Sequence, residues 1–591
     1  MIRGFFRFIF RTLFWIWAFI GFALMTLVLF LYFFKVGPFQ AAFKPLTEES
    51  VLNLTLNGHY VEHKNDGVGG LLLGKQASLY HLTQAILHAA QNEKIKGLVL
   101  RIDEPHLGVA QIQELREALM AFRKAGKPSW CYSDTYGDSS SGTGLYYLAT
   151  ACQKIWLQPV GTVNLTGLNM EVPFAKGALE KLDVKPEMAQ RKEYKSYVET
   201  FTRDDFSEPS RQAMQAIADS ILSQFVDGIA KERMLAHDQV RFLINNGPYL
   251  TQEALPEKLV DRVDYRHNLQ EEIYATLGNH IKFLGVNSYL ETIPQKKKGA
   301  KVALIFGSGT ILRDGSESPM SEVTITANET YKAFQLAIED QDVKAIVYRI
   351  NSGGGSPVAS ETIYGIINYA KLHAKKPVII SMSDAAASGG YWIAVAGSKI
   401  VAQPATLTGS IGVFGGKFVL SGLFDKLGVK FGQISTSENA SMWSMAQSFT
   451  PSQWVKLNAL MDQIYNGFTS RVALGRHMTP EQVEKVSRGR VWTGEQALAL
   501  GLVDQLGGLH TALELAKKEV GLPLDTSVHI FPEPKTLWES LSALFDKEEE
   551  DDFTQTGILG TILNPFRKIM AVFRILFSSQ EALYVPLGEV K

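Results

Sequence analysis

The segment Thr408-Gly409-Ser410-Ile411-Gly412 places a hydroxyl in a turn that the flanking glycines permit, the presentation a nucleophile needs. A serine hydroxyl attacks a carbonyl only after a base takes its proton. A lysine can be that base only as the neutral amine, so burial must lower its pKa. Lys195, in Tyr194-Lys195-Ser196-Tyr197-Val198, has aromatic and aliphatic neighbours able to exclude water. Lys192 lies nearby, and spacing alone does not separate the two. Upstream of the serine, Asn351-Ser352-Gly353-Gly354-Gly355 follows a strand-like run, and its amides can converge on the oxyanion of an acyl transfer. No Walker lysine follows this run, which argues against a phosphate cradle. Ser388, in Ser383-Asp384-Ala385-Ala386-Ala387-Ser388-Gly389-Gly390-Tyr391-Trp392, is a rival nucleophile. Its small neighbours suit close packing and its hydroxyl can cap the helix that follows, so Ser410 is preferred.

What must position these groups is a domain present twice. Residues 158–196 align without a gap onto 403–441, since 403 − 158 and 441 − 196 both give 245. In that register Ser410 faces Leu165 and Lys195 faces Ala440, so each copy lacks what the other supplies. Lys96 to Asp103 resembles Lys344 to Asn351, and Leu259-Val260-Asp261 resembles Leu502-Val503-Asp504, at displacements of 248 and 243 (344 − 96 and 502 − 259). Such a spacing far exceeds solenoid periods of about 20–50 residues, so each copy is a whole domain. Where the second copy has its glycine run, the first reads Asp103-Glu104-Pro105-His106-Leu107-Gly108, whose carboxylates would repel an oxyanion. Lys301 to Phe306, Ala345 to Ile350, Pro377 to Met382 and Ile400 to Ala402 read as buried strands. Glu361 to His373 and Gln453 to Leu474 read as helices, the latter opened by a Thr450-Pro451-Ser452-Gln453 capping box. Alternating strands and helices imply an α/β architecture with largely parallel sheets.

Of 591 residues, 46% are hydrophobic and 20% charged, with a net charge of −1, which argues against a nucleic-acid partner. Thr12 to Phe34 carries no charge, long enough to span a bilayer. Arg3, Arg7 and Arg11 precede it and Lys35 alone follows, which puts the amino terminus in the cytoplasm and the body outside, in the periplasm of a bacterium. No small-residue cleavage site follows Phe34, so an uncleaved anchor is favoured over a signal peptide. Cys131 and Cys152 lack metal spacing and read as core residues, with a disulfide left open. Neither metal nor cofactor is expected. Ile558 to Phe577, after an acidic run, reads either as an interfacial amphipathic helix or as a helix packed on protein.

Together the anchor, the duplication, the Asn351 to Gly355 loop, the Ala386 to Trp392 segment, Thr408 to Gly412 and Tyr194-Lys195-Ser196 resemble the signal peptide peptidase A (protease IV) family in its long tandem form. The resemblance covers roughly residues 45 to 525, with Gly353 standing where the family has proline. It implies two tandem ClpP/crotonase-like α/β domains: an anchor segment 1–45, a lysine-donating copy 46–294, a serine-bearing copy 300–525 and a tail 526–591. It implies Ser410 as nucleophile, Lys195 as general base and oxyanion donors at Gly354 and Gly355. The implied protein is a single-pass enzyme of the bacterial inner membrane with its catalytic body in the periplasm. It would be homotetrameric and would degrade released signal peptides and other extended hydrophobic peptides at the lipid surface. A non-catalytic membrane scaffold and a crotonase-like acyl-CoA enzyme are the competing readings.

Overall fold

Runs rich in Val and Ile form the centres of two sheets, because strands covered by helices on both faces are buried on both sides. A computed structural model describes Phe22 and residues 45–63, 77–138, 140–294, 299–314 and 324–533. In the second half the strand order is Val491–Thr493, Leu407–Gly409, Val378–Ala387, Val343–Ser352, Lys301–Ser308 and Ser527–Phe531. Lys399–Ala402 pairs with both Val378–Ala387 and Gln505–Leu506. These neighbours are parallel except Leu407–Gly409 with Val491–Thr493.

In the first half the order is Lys282–Gly285, Ser50–Val61, Ile95–His106, Ser129–Ser133, Lys154–Leu157 and Arg262–Val263, all parallel. The repeat read in sequence is therefore a repeat of topology. One side-chain tie repeats with it: the Tyr146 hydroxyl donates to the Leu259 carbonyl at 2.8 Å, and the Tyr391 hydroxyl to the Leu502 carbonyl at 2.9 Å.

The expected strands are present and longer than the apolar runs alone indicate. Val378–Ala387 continues five residues past Met382, to the residue before Ser388. The helices Pro357–Leu372 and Pro451–Arg476 begin at proline, and at the second the Thr450 hydroxyl accepts the Gln453 amide at 3.3 Å while the Gln453 side chain accepts the Thr450 amide at 3.1 Å. The second sheet takes its edge strand Ser527–Phe531 from beyond residue 525, where the sequence reading closes that copy. Only Phe531 in this strand is fully buried, so no apolar run marks it.

The described residues of 46–290 and those from 299 onward belong to one compact unit, while Phe22, Pro45 and 291–294 belong to another. Within the first unit an antiparallel ribbon joins the copies, with Lys185–Arg191 against Val413–Val419. The expected anchor at Thr12 to Phe34 (Phe22 apart), residues 295–298 between the copies and the carboxyl tail beyond residue 533 lie outside the described residues. Among the described residues no helix is long and apolar enough to cross a membrane. Cys131 and Cys152 are buried, unbonded thiols.

Candidate active site

The ribbon between the copies sets the register of the site. Arg191 lies opposite Val413, so Lys195 leaves one strand at the end where Ser410 enters the other. The chain then turns inward, the Lys195 amide donating to the Lys192 carbonyl at 3.0 Å and the Tyr194 amide to the Arg488 carbonyl at 3.1 Å. Two glycines make the approach possible. A Cβ on Gly412 would stand 2.5 Å from the Arg191 carbonyl oxygen, and one on Gly489, at φ +87°, would stand 2.5 Å from the Lys195 nitrogen.

Lys195 is 1% exposed, and its Nζ lies 2.6 Å from Ser388 Oγ, 2.8 Å from Ser410 Oγ and 3.1 Å from the Ser410 carbonyl oxygen. Burial alone drives its pKa well below the ordinary lysine value. Lys192, which spacing does not distinguish from it, instead pairs with Glu484 at 2.8 Å, and that hydrogen bond raises its pKa. The structure thus separates the two lysines: one is a buried amine, the other a charged surface group.

Both candidate serines reach this amine. Ser388 stands between the strand Val378–Ala387 and the helix Gly389–Ala394 with φ 56° and ψ −118°, a strained conformation for a residue with a side chain. Its side chain makes no capping bond to that helix and faces Lys195 instead, which corrects the capping expectation. Ser410, at φ 49°, follows the short strand Leu407–Gly409 and donates its amide to the Arg490 carbonyl at 2.8 Å. The Ser388 amide donates to the Gly409 carbonyl at 2.8 Å, which fixes the two serine turns side by side.

The glycine run meets the first of these turns. Gly354 donates its amide to Ser352 Oγ at 3.1 Å and accepts the Ile311 amide at 3.0 Å, so its own N–H is engaged. Gly355 bridges to Ile311, and its nitrogen lies 3.2 Å from where a Cβ on Gly389 would stand. In the first copy, Thr143 (388 − 245) holds the place of Ser388 and spends its hydroxyl accepting the amides of Thr166 and Gly167 at 3.1 and 2.9 Å. Leu165, buried, holds the place of Ser410.

A buried polar hub beneath these loops escapes the sequence reading. Arg349 Nε donates to Glu62 at 2.8 Å and its Nη2 to Glu114 at 2.6 Å, joining the second copy to two carboxylates of the first. The available signal was an arginine inside the apolar run Ala345 to Ile350, since a cation on a doubly covered strand requires a buried counter-charge.

The model of the family described as "Peptidase family S49" matches residues 121–278 and 370–523, one match in each copy. "Protease 4" of Salmonella typhi is 33% identical over 505 residues, covering 80% of this chain and 79% of that protein. "Serine protease SPPA, chloroplastic" of Arabidopsis thaliana is 30% identical, covering 81% of this chain and 70% of the relative. "Protease 4" of Haemophilus influenzae is 30% identical over 541 residues, covering 87% and 85% of the two chains.

Proposed function

From the premise that this chain belongs to peptidase family S49 and is a serine peptidase, we propose that it cleaves peptides with a Ser/Lys pair assembled across its two copies. The carrying observation is the buried Lys195 amine within hydrogen-bonding distance of Ser388 and Ser410. A neutral amine has two N–H donors and one lone pair. The Ser410 carbonyl can only accept, so it takes one N–H. The lone pair then serves one hydroxyl as base while the second N–H is held by the other.

Local geometry supports Ser388 as the hydroxyl that gives up its proton, with Ser410 holding the amine in line. This moves the nucleophile role that the sequence reading gives to Ser410 onto its rival, Ser388. Ser388 occupies a strained strand-to-helix elbow, the usual way of exposing a nucleophile. It also adjoins the glycine run, so an oxyanion formed there meets the amides of Gly355 and Gly389, whereas the Gly354 amide is already bonded to Ser352.

In this mechanism Ser388 Oγ attacks the scissile carbonyl carbon while its proton passes to Lys195 Nζ. Lys195 then protonates the departing amine, leaving an acyl-enzyme. Water, deprotonated by the same amine, attacks the ester and releases the acid and the free serine. The fold assignment to the ClpP/crotonase-like superfamily, with copies at 46–294 and from 300 onward, is part of the same proposal, as is the single-pass anchor at Thr12 to Phe34 with the body in the bacterial periplasm. The proposed substrates are released signal peptides and other extended hydrophobic peptides at the lipid surface, and the proposed assembly is a homotetramer.

The test is acylation by a fluorophosphonate probe followed by mapping of the labelled peptide. Label on Ser388, absent from Ser388→Ala, is expected, with Ser410→Ala still labelled but about 10- to 100-fold slower through misplacement of the amine. Label on Ser410 would return the nucleophile to that residue. Full peptide turnover by Lys195→Ala would remove the pair altogether.

A further inference from the structure

The strand Val378–Ala387 does not run evenly along its neighbour. Ile350 lies opposite Met382 and Ser352 opposite Ala386, so Ser383, Asp384 and Ala385 stand against the single residue Asn351. Bulges of this kind bend a strand and re-aim the residues that follow. Here those residues are Ala386, Ala387 and Ser388, while on the neighbouring strand Asn351 leads directly into the glycine run.

The bulge is filled from the first copy. Glu62, just past the end of Ser50–Val61, accepts hydrogen bonds from Arg349 Nε at 2.8 Å, Gln111 Nε2 at 2.8 Å, Asn351 Nδ2 at 3.4 Å and the Ser383 hydroxyl. Asn351 uses its side-chain oxygen to accept the Ala385 amide at 3.2 Å. Asp384 points the other way and accepts the amides of Ala110 and Gln111, at 3.0 and 3.1 Å, at the start of the first-copy helix Val109–Lys124. A Cβ on Gly108 would stand 2.2 Å from that carboxylate, so any side chain there would push Asp384 out of place. One buried carboxylate of the first copy therefore grips both second-copy strands just before each delivers its part of the site.

We propose that Glu62 is a positioning residue for the peptidase reaction, holding the Ser383–Ala385 bulge so that Ser388 and the Gly354–Gly355 loop face each other. On this account the first copy supplies aim as well as the lysine. The inference rests on the peptidase reading above.

The test compares Glu62→Gln, Ser383→Ala and the double variant with wild type in the full-length protein. Peptide kinetics, the rate of fluorophosphonate acylation and thermal melting are all measured. Ser383→Ala leaves the Glu62–Arg349 pair intact and keeps the result decisive if Glu62→Gln does not fold. Folded variants are expected to lose about tenfold or more in kcat and in acylation rate with KM changed less than about twofold, the pattern of misaligned rather than weakened binding. The acid limb of the pH profile should stay where it is, because Lys195 is untouched. The double variant should be no worse than Glu62→Gln alone, since both changes cut one link. Ser383→Ala that folds and acylates at the wild-type rate would overturn the proposal. A wild-type protein that neither cleaves peptide nor takes the probe would instead sink the peptidase reading, and this inference with it.

Discussion

At the residue scale, the proposed chemistry depends on a lysine whose burial favours its neutral form. Its folded pKa lies below the unfolded value, so between the two the unfolded chain binds the extra proton. Two results are expected. The kcat/KM should rise with pH through the lowered lysine pKa and level off above it, as a proton leaves the base. Lys195→Met should lose about a hundredfold or more of activity, the usual share of a general base, yet melt higher than wild type at neutral pH. That stability difference should shrink as pH rises towards 10.5, where the unfolded lysine also becomes neutral. Scanning calorimetry of the two proteins across pH checks the sign, and a constant difference would show that lysine burial carries no proton cost.

At the element scale, the ribbon of Lys185–Arg191 with Val413–Val419 decides where the amine lands, and glycines decide how closely its strand can approach. Gly489→Ala puts a methyl 2.5 Å from the Lys195 nitrogen and 2.7 Å from its Cβ, at a φ that side chains disfavour. The lysine segment must then retreat. Activity is expected to fall about a hundredfold while stability drops only about 1–3 kcal/mol, which kinetics and urea unfolding together would measure. Thr450→Ala is the control: it removes the helix cap and should cost about 1 kcal/mol with kcat intact.

Across the whole molecule, the copies share a compact unit and a buried charge hub, so they should unfold together. Glu62 is held low despite its burial, with Arg349 the largest opposing influence, and Asp384 is pushed up to about 7 by burial and by the nearby Glu62 charge. Arg349→Leu strands the carboxylates of Glu62 and Glu114 without their cation. It is expected to cost about 3–5 kcal/mol and to lower a single calorimetric transition. Two transitions, with only the second copy affected, would show that the halves fold independently.

The duplication, the α/β alternation and the division of lysine and serine between copies were legible in the chain, because buried strands and turns leave local marks in residue type and spacing. The sequence reading takes Ser410 as nucleophile and the proposed mechanism takes Ser388, because both sit in short, small-residue turns and nothing local records which one meets the glycine run. The identity of the hub's carboxylates was hidden for a related reason: Arg349 signals a buried counter-charge, but Glu62 lies 287 residues away and nothing local marks it as the partner. Sequence determined which groups were available to react. Only tertiary structure decided which of them share a dry, hydrogen-bonded space, since that depends on the register of a ribbon and the bend of one strand.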